Sequence, residues 1–378
     1  MRKKRVFALL SCFLVMIILS LYTTPIFAME SSQDELFTHS KKYISQEVAQ
    51  DYANQMIDEM KESELYLWND STVIDEVIPM YDFEGNINSY LFRLKTNGIK
   101  QGYIVVDAKS ETAGVEICND TGEYAVDKIS KQKLGRPINK KDFIIRPGTF
   151  YFVVEQDNQT YVNFSTGEIL NASKDDLIAD YNKMVERRSQ NIKLQSSLNI
   201  QSTAPTSYTL PNITGWKTFT QPVNSDICGI ISSMNFFYYW SHMHMRKQPS
   251  LWTTYDEVYG KLATFLKYSS GVGVKKENIM DGLRNYANHR NTPIKGDDYR
   301  SGKKNIDWAF MKNNIANGNP LIIGTSYPCS NHLMAAFGYQ SLSSGTYLVV
   351  ADGFNSNANS LLRYVYDDCF SFVGYVRW

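Results

Sequence analysis

From Arg187 to Thr209 the chain turns polar, rich in Ser, Gln, Asn and Thr, with Pro205 and few large apolar residues. A stretch of this kind cannot bury enough apolar surface to belong to a core. It divides the 378 residues into two pieces that must each fold on their own hydrophobic residues. Hydrophobic residues make up 43% of the chain and charged residues 21%, so neither piece lacks core material and a disordered or collagen-like chain is excluded. The formal charge balances at 39 basic and 39 acidic residues, which argues against a strongly basic nucleic-acid-binding protein. The balance hides an asymmetry. Residues 29–195 hold 19 basic and 28 acidic residues, and residues 196–378 hold 16 and 11. Opposite signs predict that the two pieces attract each other.

The first 28 residues stand apart. Met1-Arg2-Lys3-Lys4-Arg5 precedes an almost wholly apolar run from Val6 to Leu21, then Pro25 and Ala28. A charged start, an apolar middle and a small residue at a cleavage point describe a secretory signal peptide, with membrane association through that segment alone. The alternative is a membrane anchor, since the run approaches spanning length. Of the remaining cysteines, Cys118, Cys228, Cys329 and Cys369, none shares a CxxC or metal-ligand spacing. No motif asks for a metal or cofactor, so none is expected.

Periodicity gives each piece the same mixed character. Residues 43–62 place Ala49, Tyr52, Ala53, Met56, Ile57 and Met60 at helical spacing, with Ser45 as N-cap. The period then becomes two over residues 73–83, 87–95 and 101–108, with Asn97-Gly98 as a hairpin turn. A second hairpin is expected over residues 149–164. Beyond the polar stretch the order is helices over 228–243, 254–268, 276–288 and 306–316, then strands over 321–326, 333–339, 347–351, 361–366 and 372–376. The expected fold class is therefore α+β twice over: a small helix-plus-meander domain, then a domain of helices followed by antiparallel sheet. The expected boundaries are a signal peptide 1–28, a first domain 29–186, a linker 187–207 and a second domain 208–378.

Three residues of the second domain carry chemistry. Cys228 opens an apolar helix directly from the loop Gln221–Ile227, where unpaired amides and the helix dipole would favour a thiolate. On local sequence it reads equally as a small buried core residue. Gly229 permits a close approach of the backbone to a facing strand. His332 heads the apolar run Leu333–Tyr339, and Tyr347–Ala351 delivers Asp352 at the end of the next strand, where a carboxylate would orient the imidazole. Asn355 is an alternative orienting group, and Asp352-Gly353 also reads as a plain turn.

Cysteine at a helix start, histidine on one strand and aspartate on its neighbour resemble the papain-like cysteine peptidases. The nearest likeness is to secreted bacterial peptidases of the double-glycine (bacteriocin-leader) type, with streptopain next. It is carried by Gln221 ahead of Asp226-Ile227-Cys228-Gly229, Gly318–Gly324, Asn331-His332 leading to Gly338-Tyr339, and Tyr347 to Asp352. The resemblance implies a papain-like fold for residues 208–378. It makes Cys228, His332 and Asp352 the catalytic set, and Gln221 the oxyanion-hole residue. It also implies a peptide or protein substrate. One departure stands out: an extra residue, seen as Ile227, separates Gln221 and Asp226 from the positions they hold in the family pattern. The stretches 44–53, 78–81, 89–92 and 101–107 resemble streptopain-type pro-domains, implying that residues 29–186 act as an intramolecular inhibitor and the whole chain as a secreted zymogen. The alternatives are a secreted thiol amidase acting on cell-wall peptides and an inactive papain-fold binding protein.

Overall fold

The computed structural model describes residues 42–63, 65–157, 160–164, 167–197, 207–222, 225–302, 306–326, 331–364 and 370–378. Residues 45–378 form one compact unit. The expected signal peptide, like Cys329 and Cys369, lies outside the described residues.

The first part of this unit is built as its sequence pattern requires. Helix α1 (Gln46–Lys61) is capped by Ser45, whose side chain accepts from the Val48 amide, and it buries Ala49, Ala53, Met56, Ile57 and Met60. Strands β1 (Val73–Tyr81), β2 (Ile87–Thr96), β3 (Ile99–Asp107) and β4 (Gly114–Asn119) form an antiparallel meander. The β2–β3 turn has Asn97 at φ 53° and Gly98 at φ 75°, two left-handed positions in succession that Asn-Gly adopts readily. Helix α2 (Ala125–Leu134) follows. Strands β5 (Ile145–Gly148), β6 (Tyr151–Asp157) and β7 (Thr160–Asn163) extend the sheet beyond β1. Helix α3 spans Lys174–Ser197, so the polar stretch begins as helix and the expected linker at 187–207 is helical through Ser197. Polar composition alone did not break the helix because the stretch carries neither Gly nor Pro before Pro205.

The second part opens with the short strand β8 (Tyr208–Thr209), which lies along the far half of β11. Its helices are α4 (Cys228–Tyr238), α5 (Tyr255–Phe265), α6 (Ile279–His289) and α7 (Trp308–Ala316). Thr254 caps α5 by accepting from the Glu257 amide, as the Thr-x-x-Glu pattern predicts. Strands β9 (Gly296–Ser301), β10 (Leu321–Thr325), β11 (His332–Leu342), β12 (Gly345–Ala351), β13 (Ser360–Arg363) and β14 (Phe370–Arg377) supply the sheet. Asp297 and Asp298 lie in β9, and Asp297 pairs with Arg284.

The two parts share one sheet. Its strands run β7-β6-β5-β1-β2-β3-β4-β13-β12-β11-β10-β14-β9, and the join is β4 against β13, with Cys118 opposite Leu361 and Ile117 opposite Leu362. Each part keeps an apolar cluster of its own. One gathers Phe83, Ile145, Val153, Tyr161 and Leu177. The other packs α4, α5 and α6 on β10, β11 and β14 through Met234, Phe237, Leu262, Leu283, Ile322 and Phe372. Charged side chains cross the join at Lys128, which donates to the Phe354 carbonyl and is attracted by Asp352, and at Arg363, which donates to the Thr112 carbonyl. The ion pairs Arg93–Asp127 and Arg146–Glu116 lie inside the first part, and Arg284–Asp297 and Arg290–Glu257 inside the second. Across the join run amide hydrogen bonds: Asn119 Nδ2 to Ser360 Oγ at 2.8 Å and to Asn357 Oδ1 at 2.7 Å, and Asn359 Nδ2 to Asp120 Oδ1 at 2.8 Å.

Candidate active site

Cys228 is the first residue of α4, half-buried and unbridged. The loop before it is fixed at both ends. Asn235, one turn from the end of α4, accepts from the Phe219 amide at 2.8 Å and donates to the Phe219 carbonyl at 3.0 Å. Asp226 accepts from the Tyr268 hydroxyl at 2.6 Å and from the Gly271 amide. Sequence reasoning missed both tethers, because each joins residues far apart in the chain. Gly229 allows the helix to seat: a Cβ there would stand 2.6 Å from Val274 Cβ and 3.1 Å from Leu333 Cδ1.

The amides of Leu333, Gly229 and Cys228 itself face the thiol and favour its ionised form, while burial and the Asp226 charge oppose it. Burial is the largest influence, and the thiol titrates above the ordinary cysteine value. The helix-start effect expected from sequence is thus present but outweighed in this arrangement.

His332 is the first residue of β11, paired with Thr325 of β10 and only 4% exposed. Its next neighbour, Leu333, is the residue whose amide faces the Cys228 thiol. His332 Nε2 lies 2.6 Å from the main-chain oxygen of Asp352. A carbonyl only accepts, so Nε2 carries the proton and Nδ1 is left as the base. Burial holds this imidazole below the usual histidine value, against the pull of the Asp352 carbonyl and charge.

The expected part played by the Asp352 carboxylate needs correction. That carboxylate is fully buried and accepts from the Phe354 and Asn355 amides, from Asn355 Nδ2 and from Ser360 Oγ, each at 2.8 Å. Asp352 therefore orients His332 through its carbonyl, while its side chain shapes the turn that brings the carbonyl there. Asn355, the alternative orienting group, is engaged with Asp352 and accepts from the Glu123 amide at 3.1 Å.

Gln221 is drawn to the same turn. Its amide donates to the Gly353 carbonyl at 2.8 Å. Gln221 Cδ and His332 Cε1 each lie 3.9 Å from the point where a Cβ on Gly353 would stand. Gln221 Oε1 is buried with no hydrogen-bond partner among the described residues. An amide side chain held beside the histidine with its Oε1 unsatisfied has accepting capacity to give a ligand.

Two aromatic rings that the sequence did not single out complete the surroundings. Phe354 stacks on the face of the His332 ring with centroids 4.9 Å apart and planes 23° apart. Phe150, at the turn between β5 and β6, meets both His332 at 5.1 Å and Phe354 at 5.4 Å. The Lys128 ammonium donates to the Phe354 carbonyl from α2. A period-two reading finds strands but not which turn tip reaches a distant site, so Phe150 and Lys128 left no local signal.

No protein-family description matches the chain, and no curated protein matches it. Solved structures to which it is similar include one from work on antibody cross-reactivity between the mite allergens Blo t 1 and Der p 1. That match has 8% identity and a TM-score of 0.31, covering 48% of this chain and 73% of that one. Another is a recombinant stem bromelain precursor, at 11% identity and a TM-score of 0.28, covering 52% of this chain and 92% of that one.

Proposed function

We propose that this chain is a secreted bacterial cysteine peptidase made as a zymogen. On this reading residues 1–28 direct export, residues 29–186 form the inhibitory pro-domain and residues 208–378 a papain-like catalytic domain. The carrying observation is the state of His332. Its Nε2 proton is committed to the Asp352 carbonyl, which leaves Nδ1 as the base, and the amide next to it in the chain faces the Cys228 thiol.

In the proposed reaction His332 Nδ1 takes the Cys228 proton and the thiolate attacks the scissile carbonyl of a peptide. The resulting oxyanion is held by the Cys228 amide and the Gln221 side chain. Collapse expels the amine, which takes the proton from His332, and leaves a thioester. Water, deprotonated by His332, hydrolyses the thioester and frees the enzyme. Neither the thiol nor the imidazole is poised for ionisation while both are this deeply surrounded, which suits a latent precursor. The test is hydrolysis of a generic peptide by processed protein. Cys228→Ala and His332→Ala should each abolish it, and wild-type turnover by Cys228→Ala would end the reading.

A further inference from the structure

The turn that carries Phe150 is built around buried charge. Arg146 Nη2 donates to Glu116 Oε2 at 2.6 Å and Arg146 Nε to the Tyr124 hydroxyl at 2.9 Å. Thr149 Oγ1 donates to the other Glu116 oxygen, and the Tyr124 hydroxyl donates to the Thr149 carbonyl. Glu116, Arg146, Tyr124 and Thr149 are all at most 4% exposed. Asn88 Nδ2 adds a bond to the Arg146 carbonyl at 2.8 Å. A buried ion pair adds little net stability over an apolar replacement but fixes geometry and register strongly when fully hydrogen-bonded. Here it fixes the residues on either side of Pro147-Gly148, and the next side chain outward is Phe150, itself 6% exposed against His332 and Phe354.

We propose that Phe150 keeps the intact chain latent by sealing the His332 imidazole from water, and that the Glu116–Arg146–Tyr124–Thr149 cluster sets where its ring lies. The biological meaning rests on the zymogen reading; the contact and its test do not depend on turnover. His332 faces Phe354 on one ring side, Phe150 beside both, Thr325 across β10, the Asp352 carbonyl at Nε2, and the Cys228 thiol by way of Leu333. The charged groups near it are Asp352 and, at the Phe354 carbonyl, Lys128. With Phe150 in place the imidazole loses the hydration its cation needs. An uncharged imidazole gives no ion-pair partner to a thiolate, so Cys228 stays protonated and unreactive. Latency here is dehydration of the base, with no need to block the thiol itself. Glu116 and Arg146 are positioning residues in this scheme, acting only through Phe150.

The experiment is peptide-level mass spectrometry of iodoacetamide alkylation on the full chain at neutral pH, with Cys118 as internal control. Cys118 is 1% exposed and lies in the β4–β13 join, so its alkylation reports loosening of the fold. Phe150→Ala should raise the Cys228 rate about tenfold, equivalent to ~1.4 kcal/mol, with Cys118 unchanged. Phe150→Leu, which restores apolar cover, should return the rate toward that of the parent. Glu116→Gln should give an intermediate rise. Histidine NMR of Phe150→Ala should show the His332 resonance moving toward a higher pKa. An unchanged Cys228 rate in Phe150→Ala would overturn the proposal. So would a rise shared equally by Cys118, since Phe150 would then be a packing residue only. Absence of peptide hydrolysis in every form, with the labelling pattern as expected, would count against the peptidase reading and leave this one standing.

Discussion

The residue that behaves least as its type suggests is Asp352. Its carboxylate is saturated by four donors and its carbonyl does the orienting. Asp352→Asn would keep the carbonyl but set an amide NH2 against donors that need an acceptor. The expected cost is about 1–3 kcal/mol of stability, read as a lower Tm, with a smaller effect on turnover of the protein that remains folded. A loss of turnover with no loss of Tm would show that the carboxylate acts on His332 directly. His332 gives a pH prediction of definite sign. Its pKa in the folded chain is depressed by burial, so below the ordinary value near 6.5 the unfolded chain binds the extra proton first. The contribution of a neutral His332 is thus complete above that pH and is lost as pH falls through 6.5 toward the folded value. Between pH 7 and 5 the parent should lose more stability than His332→Gln in paired denaturant titrations. Parallel curves would contradict the depressed value.

At the scale of elements, α4 depends on one missing side chain. Gly229→Ala would place a Cβ 2.6 Å from Val274 Cβ, and Val274 follows Gly273, where a Cβ would stand 2.9 Å from the Asp226 carbonyl oxygen, so the segment has little room to yield. The expected loss is about 1–3 kcal/mol, with Cys228 displaced and its alkylation rate altered; an unchanged Tm and rate would mean the loop gives way freely. The helix itself was legible in the sequence, since Ile230, Ile231, Met234 and Phe237 follow one face, and all are buried. So were the Ser45 and Thr254 caps and the Asn97-Gly98 turn, because each is a signal confined to a few consecutive residues. Strand β4 was missed: all six of its residues are buried, so it shows no alternation, and it is short. Helix α2 was missed because Lys and Gln dilute its apolar stripe. The resemblance singled out Gln221, His332 and Asp352, which meet at the Asp352-Gly353 turn, whereas Asp226, Asn235 and Phe150 act across long sequence separations that no local pattern records.

For the whole molecule, the shared sheet changes what cutting the chain between Ser197 and Ser207 should do. Tethering sets an effective concentration of about millimolar for the two parts. Once the tether is cut, the β4–β13 ladder and the Asn119, Asn357 and Asn359 bonds remain. The ladder and the Asn119 bonds join uncharged groups at short range, so the cut pieces should co-elute in size exclusion both at ~0.15 M salt and at ~1 M, where the screening length falls to about 3 Å. Separation at high salt alone would make charge attraction the bond between them. Gly122→Val should weaken the association, since a Cβ at Gly122 would stand 2.0 Å from Asn355 Oδ1. Activity should accordingly appear on dilution or destruction of the first part rather than on cleavage alone. The central claim remains that Cys228 is the nucleophile of a peptidase, and the most direct measurement is an intact-mass and peptide map of processed protein treated with an epoxide inhibitor of thiol peptidases. The account predicts one adduct per chain, on Cys228, with loss of peptide hydrolysis in proportion to labelling. Full labelling of Cys228 with hydrolysis undiminished, or complete inhibition with Cys228 unmodified, would contradict it.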